Sequence, residues 1–142
     1  MALTVPNIGE TLLLQFMVGD AAPHANWTLR LFVNNYTPVP ATLLANLTEM
    51  STQGYTAQVL TNTSWVISAE DPEAQALYAE QTFTFDGTGG DTDVYGYYLT
   101  DNSAGALLWA ERFPTAPILV PDSFGGQIRI TPRITFATLN EM

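Results

Sequence analysis

Two acidic side chains, Glu80 and Glu111, are the residues best suited to chemistry, because hydrolysis of a glycosidic bond needs little beyond a pair of carboxylates across a cleft. Both fall near segments that read as strands, and Glu111 shares an alternating face with Leu107 and Trp109. The structural reading is stronger: Glu111 pairs with Arg112 or Arg129, or lies at a subunit contact. A second cluster is the loop Asp86-Gly87-Thr88-Gly89-Gly90-Asp91-Thr92-Asp93. Hard Ca²⁺ takes carboxylate and carbonyl oxygens, and glycines let a loop curl around it. The spacing departs from the EF-hand loop and lacks its distal Glu, so an acidic hairpin turn is expected, with no metal.

His24 is the one histidine, and a single imidazole cannot build a multi-histidine metal site. No serine stands in a Gly-x-Ser-x-Gly turn, and no glycine-rich loop ends in Lys-Ser/Thr. All four basic side chains are arginines, which excludes lysine Schiff-base chemistry. The expectation is therefore a protein that is not an enzyme, with no catalytic residue and no cofactor. Trp27, Trp65 and Trp109, with six tyrosines, remain as stacking platforms for a carbohydrate. Aromatic rings at alternating strand positions more often form core or interface.

The elements that must hold these residues read as strands and turns. Residues 11–19 (TLLLQFMVG) alternate Leu12/Leu14/Phe16/Val18 against a mixed face, as a half-buried strand does. Residues 26–34 give a second strand with Leu29, Leu31 and Val33 on one face and Arg30 opposite. Two prolines make 34–53 a long crossing loop. Further strands are expected over 54–60, over 64–69 with Trp65 and Ile67 on one face, and over the run ending at Phe85. A hairpin across 86–93 is expected to join 82–85 to 94–100. A second, across 101–105, joins 94–100 to 107–113. Residues 114–126 form a long connection, 127–131 a strand, and the stretch after Pro132 an edge strand or tail. Eight or so short strands with Gly and Pro between them read as an all-β, antiparallel two-sheet β-sandwich of Greek-key or jelly-roll type. Its domain is expected over residues 11–142, with residues 1–10 as an extended arm.

Composition narrows the partners. The chain of 142 residues carries 14 acidic residues against four Arg, a net charge of −10, and such a surface repels phosphate backbones. Nucleic acid is not an expected partner. Without cysteine there is neither a disulfide nor a thiolate metal site. No apolar run approaches the roughly 18 residues of a membrane span, so no membrane partner is expected. The first residues carry no basic region, so a secretory signal is not expected there, and an intracellular origin, or a particle assembled inside a cell, fits.

Several ordered segments carry a resemblance. They are residues 29–38 (LRLFVNNYTP), 78–85 (YAEQTFTF), 94–98 (VYGYY), 108–113 (LWAERF) and 128–135 (IRITPRIT). Together they resemble small structural proteins of tailed bacteriophages over roughly residues 10 to 136. The resemblance brings no catalytic motif. It implies a virion component: first a capsid cement or decoration protein on the outer surface of the major capsid protein shell, second a tail or baseplate component binding a receptor or carbohydrate. A homo-oligomer is expected, with a trimer matching threefold sites on a capsid.

Overall fold

The computed structural model describes residues 4–20, 22–23, 25–70, 73–102 and 105–137. His24 and residues 138–142 of the expected tail lie outside them. The described chain is mostly antiparallel β-structure with one α-helix. Its largest sheet has the order β2-β1-β7-β8, formed by β1 (Asn26–Phe32), β2 (Gln58–Thr61), β7 (Gly96–Asp101) and β8 (Leu107–Arg112). A three-stranded sheet orders β11 (Arg133–Ala137), β4 (Glu73–Leu77) and β3 (Val66–Glu70). Two strand pairs complete the set: β5 (Gln81–Phe85) with β10 (Gly126–Ile130), and β6 (Thr92–Val94) with β9 (Ile118–Val120).

Period-2 alternation divides the large sheet into two apolar faces. On one, Leu29, Leu31, Leu60 and Leu99 pack with Phe83, Phe85, Ile128 and Ile130 from the β5–β10 pair. On the other, Phe32 and Tyr98 pack with Leu47 of the crossing loop, Leu107 and Ala110. Burying a side chain of this kind is worth about 1.5–3 kcal/mol, which explains why both faces are covered. The crossing loop holds only one short 3₁₀ turn, Leu44–Asn46. Arg30 anchors it from the second face, donating to both carboxylate oxygens of Glu49 at 2.8 Å. The Tyr55 hydroxyl also donates to Glu49, at 3.0 Å, and accepts the Leu31 amide.

The strand expected over 11–19 is instead part of a helix, α1 (Asn7–Val18). Its inward residues are Gly9, Leu12, Leu13 and Phe16, the three-and-four spacing of a helix face rather than the alternation of a strand. Pro6 precedes the first turn and Gly19 closes the last with φ +74°, its amide bonding to Phe16 O while Asp20 N bonds to Gln15 O. Residues 4–10, expected as an arm, lie along the chain's own β8: Thr4 and Ala110 exchange both backbone hydrogen bonds, at 3.1 and 3.0 Å.

Gly9 permits that contact. A Cβ there would stand 2.1 Å from Leu108 O, so the helix touches the strand backbone directly. Gly9→Ala must therefore push α1 off β8. A loss of about 1–3 kcal/mol in chemical unfolding is expected, although alanine is the better helix former. An unchanged midpoint would mean that α1 contributes nothing through this contact.

The first expected hairpin does not form. β5 pairs with β10, Gly126 opposite Phe85 and Ile130 opposite Gln81, while β7 lies between β1 and β8. The glycines of 86–93 turn the chain, yet the stretch after them enters β6, whose partner is β9 within the connection 114–126. The second hairpin forms as expected, β7 against β8, with a bulge where Leu99 faces Trp109 and Thr100 faces Leu107. That extra residue moves Leu107 to the opposite face from Trp109, against the expected alternation. Of residues 54–60 only the last three enter β2, and Arg133–Ala137 is an edge strand. Asp71-Pro72 lies outside the described residues, and the segment after it is strand β4.

Candidate functional site

A cavity of about 690 Å³ opens between α1, β8 and the β10–β11 corner. β8 alternates, so Trp109 and Glu111 face the same way into it. Tyr97 lies opposite Glu111 in the β7–β8 register, and its hydroxyl donates to Glu111 Oε2 at 2.6 Å. Burial pushes the Tyr97 phenol well above its ordinary range, and the neighbouring carboxylate adds to that. Leu13 of α1, Phe113, Ile130 and Ile134 supply apolar wall. Arg129 and Arg133 stand at the rim, both exposed.

Two of the chain's four arginines thus border one cavity. The other two are committed elsewhere: Arg30 to Glu49, and Arg112 to Tyr36 O at 3.1 Å with its guanidinium 5.1 Å from the Tyr95 ring centre. Arg129 has Gln127 Oε1 at 3.2 Å and Glu80 Oε1 at 4.0 Å. The Arg129–Glu80 side chains are more than half exposed, and such a pair contributes little. Glu111 is the carboxylate of the lining and is bound by Tyr97, so it is the arginine rim that suits an apolar group carrying a negative charge or a strong acceptor.

The two carboxylates singled out from the sequence do not share this space. Glu111 lines the cavity and is occupied by Tyr97, while Glu80 lies outside its lining, on Arg129. Neither Arg112 nor Arg129 is the hydrogen-bond partner of Glu111. In and beside the acidic loop, Asp86, Asp91 and Asp122 accept backbone amides. Asp86 Oδ1 accepts from the Thr88 amide and hydroxyl, at 3.0 and 2.6 Å. Asp91 Oδ1 accepts the Asp122 amide at 2.8 Å, and Asp122 Oδ1 the Gly90 amide at 2.7 Å. Among the described residues no three His, Asp or Glu side chains gather in a way that would hold a metal.

The tryptophans are not a platform. Trp27, Trp65 and Trp109 pack edge-on against one another, with ring centres 5.7–6.3 Å apart, and Tyr78 adds a fourth ring 5.2 Å from Trp65. All three indole N–H groups are buried without an acceptor. Every described Trp and Tyr is buried or half-buried. Among the aromatic side chains described, the exposed one is Phe124, 87% exposed in the turn before β10, which its sequence context alone did not single out. Its signal was an aromatic residue between Asp122 and Gly125, where a turn leaves nothing to cover it. Large apolar side chains also stand out on α1 (Met17, Val18) and on β3 (Val66, Ile67). Ile67 therefore does not share the inward side of Trp65, which precedes β3.

The chain matches no protein-family model, no curated protein and no solved structure. Among the described residues no helix is long and apolar enough to cross a membrane.

Proposed function

We propose that the chain is a non-enzymatic structural component of a virus particle, a capsid cement or decoration protein that binds the outer surface of the major capsid protein shell and stabilises it. The observation that carries this reading is the set of large apolar side chains held outward on fixed elements: Met17 and Val18 on α1, and Val66 and Ile67 on β3. Such groups on an acidic domain with few charges are the material of protein contacts. The ordered segments that resemble small phage structural proteins supply the kind of partner. In this reading the large sheet and the β5–β10 pair are the two layers of a Greek-key or jelly-roll sandwich.

A tail or baseplate module that binds a receptor or carbohydrate is the second reading. The arginine-rimmed cavity favours it, and the inward packing of the three tryptophans weighs against it. A cryo-electron map of the intact particle separates the two. Regular density over the capsomers is expected, with loss of particle heat resistance when the chain is deleted. Density confined to the tail would overturn the cement reading and leave the second.

A further inference from the structure

We propose that copies of this chain associate head to tail, with the Phe124 turn of one copy seated in the arginine-rimmed cavity of the next. The contact concerns the chain itself and stands apart from where a particle carries it.

Phe124 is presented, not merely uncovered. The Gly125 amide bonds to Pro121 O at 3.0 Å, and the Asp91–Asp122 and Asp122–Gly90 bonds tie the turn to the acidic loop. Gly125 lies so close to β5 that a Cβ would stand 2.1 Å from Phe85 O. A ring held outward on a fixed backbone loses little freedom when it is covered, which is the condition for a binding hot spot.

The charge around it points to its socket. Asp91 and Asp122 are tied to the turn, Asp93 follows in β6 opposite Leu119, and all three are exposed. In a chain with only four arginines, the two bordering this cavity are Arg129 and Arg133. An aromatic knob among carboxylates suits a cavity walled by Leu13, Phe113 and Ile134 and bordered by two guanidinium groups, with its own carboxylate, Glu111, bound by the Tyr97 hydroxyl. One chain cannot join them within itself. The knob precedes Gly126 at the start of β10, and the cavity takes Arg129 and Ile130 at its far end, about 13 Å along the strand. A second copy of the chain supplies the matching knob. A contact between two different patches is heterologous and closes into a ring or runs on as a filament.

The absence of cysteine makes the test direct. Ser123→Cys keeps Phe124 beside the new thiol, and Thr135→Cys places one at the cavity wall. An equal mixture of these full-length variants, oxidised with diamide, is expected to give the mixed disulfide dimer at least about tenfold over either homodimer. Phe124→Ala and Arg133→Glu are each expected to weaken self-association about tenfold or more in sedimentation velocity, with unchanged circular dichroism. Homodimers of Ser123→Cys as abundant as the mixed species would mean a twofold-symmetric contact and overturn the proposal. A wild-type chain that stays monomeric, or a Phe124→Ala chain that associates as before, would overturn it too. Because only the isolated chain is used, failure here leaves capsid binding open, and failure of capsid binding leaves this contact standing.

Discussion

Raising the pH above about 10 is expected to unfold the protein steeply, because three tyrosines are held inside as neutral phenols. Burial is the main cause of the raised pKa at Tyr55, Tyr97 and Tyr98. Carboxylates strengthen it: Glu49 beside Tyr55 and Tyr98, and Glu111 hydrogen-bonded to Tyr97. The sign follows from linkage. An unfolded tyrosine releases its proton near 10, whereas these three keep theirs in the native state. The stability they hold is fully present below the unfolded value and is lost as pH rises toward the folded values. Each group contributes about 1.4 kcal/mol per pH unit in that window, so three together remove about 4 kcal/mol per unit. Against a typical total of about 5–15 kcal/mol, the transition should be complete within a few units. Circular dichroism against pH, followed with phenolate absorbance at each step, reads this out. Tyr98→Phe should reduce the slope by about a third. A native signal that titrates three phenols smoothly near pH 10 would show that the rings are open to water.

How far such groups were legible in the sequence depends on whether the deciding contact was local. The β7–β8 hairpin was readable because two alternating segments flank a short turn, and β1 was readable from Leu29 and Leu31. Residues 11–19 misled because the same leucines satisfy both periods: Leu12, Leu14, Phe16 and Val18 alternate, while Gly9, Leu12, Leu13 and Phe16 follow a helix face. The deciding cues were Pro6 before the segment, Gly19 after it, and the helix preference of Leu, Gln and Met over β-branched residues. The partner of β5 was not readable at all. Glycines in 86–93 fix that the chain turns, but the pairing with β10 is decided by Phe83, Phe85, Ile128 and Ile130 meeting in one core. The bulge in β8 is equally nonlocal, and it changes which face Leu107 occupies.

The same division applies to the candidate site. Glu111 and Trp109 could be placed on one face from their spacing. The cavity could not, because its other walls come from α1 and the β10–β11 corner, and the positions of both depend on contacts distant in sequence. The arginines mark it in retrospect: with Arg30 and Arg112 taken by Glu49 and Tyr36, the remaining two border one opening.

Trp109→Ala is expected to be the most damaging single substitution in the core, at about 3–5 kcal/mol. Trp109 is 1% exposed and sits where β8, Trp27 and Trp65 meet, so its removal opens a cavity that two neighbouring indoles and the strand backbone cannot collapse to fill. A loss of that size approaches the whole stability of many domains, and in urea the midpoint should fall by about 1–3 M. Trp109→Phe separates the two parts of the cost. The indole N–H has no acceptor, so losing it breaks no hydrogen bond and relieves a buried donor. A phenyl ring also keeps the edge-on contact with Trp27. The phenylalanine variant should therefore lose less than half of what the alanine variant loses, with Trp27 and Trp65 left to report the transition by fluorescence. Equal losses for the two would place an unrecognised acceptor on the indole, and a small loss for alanine would mean that the three-ring cluster is not part of the stabilising core.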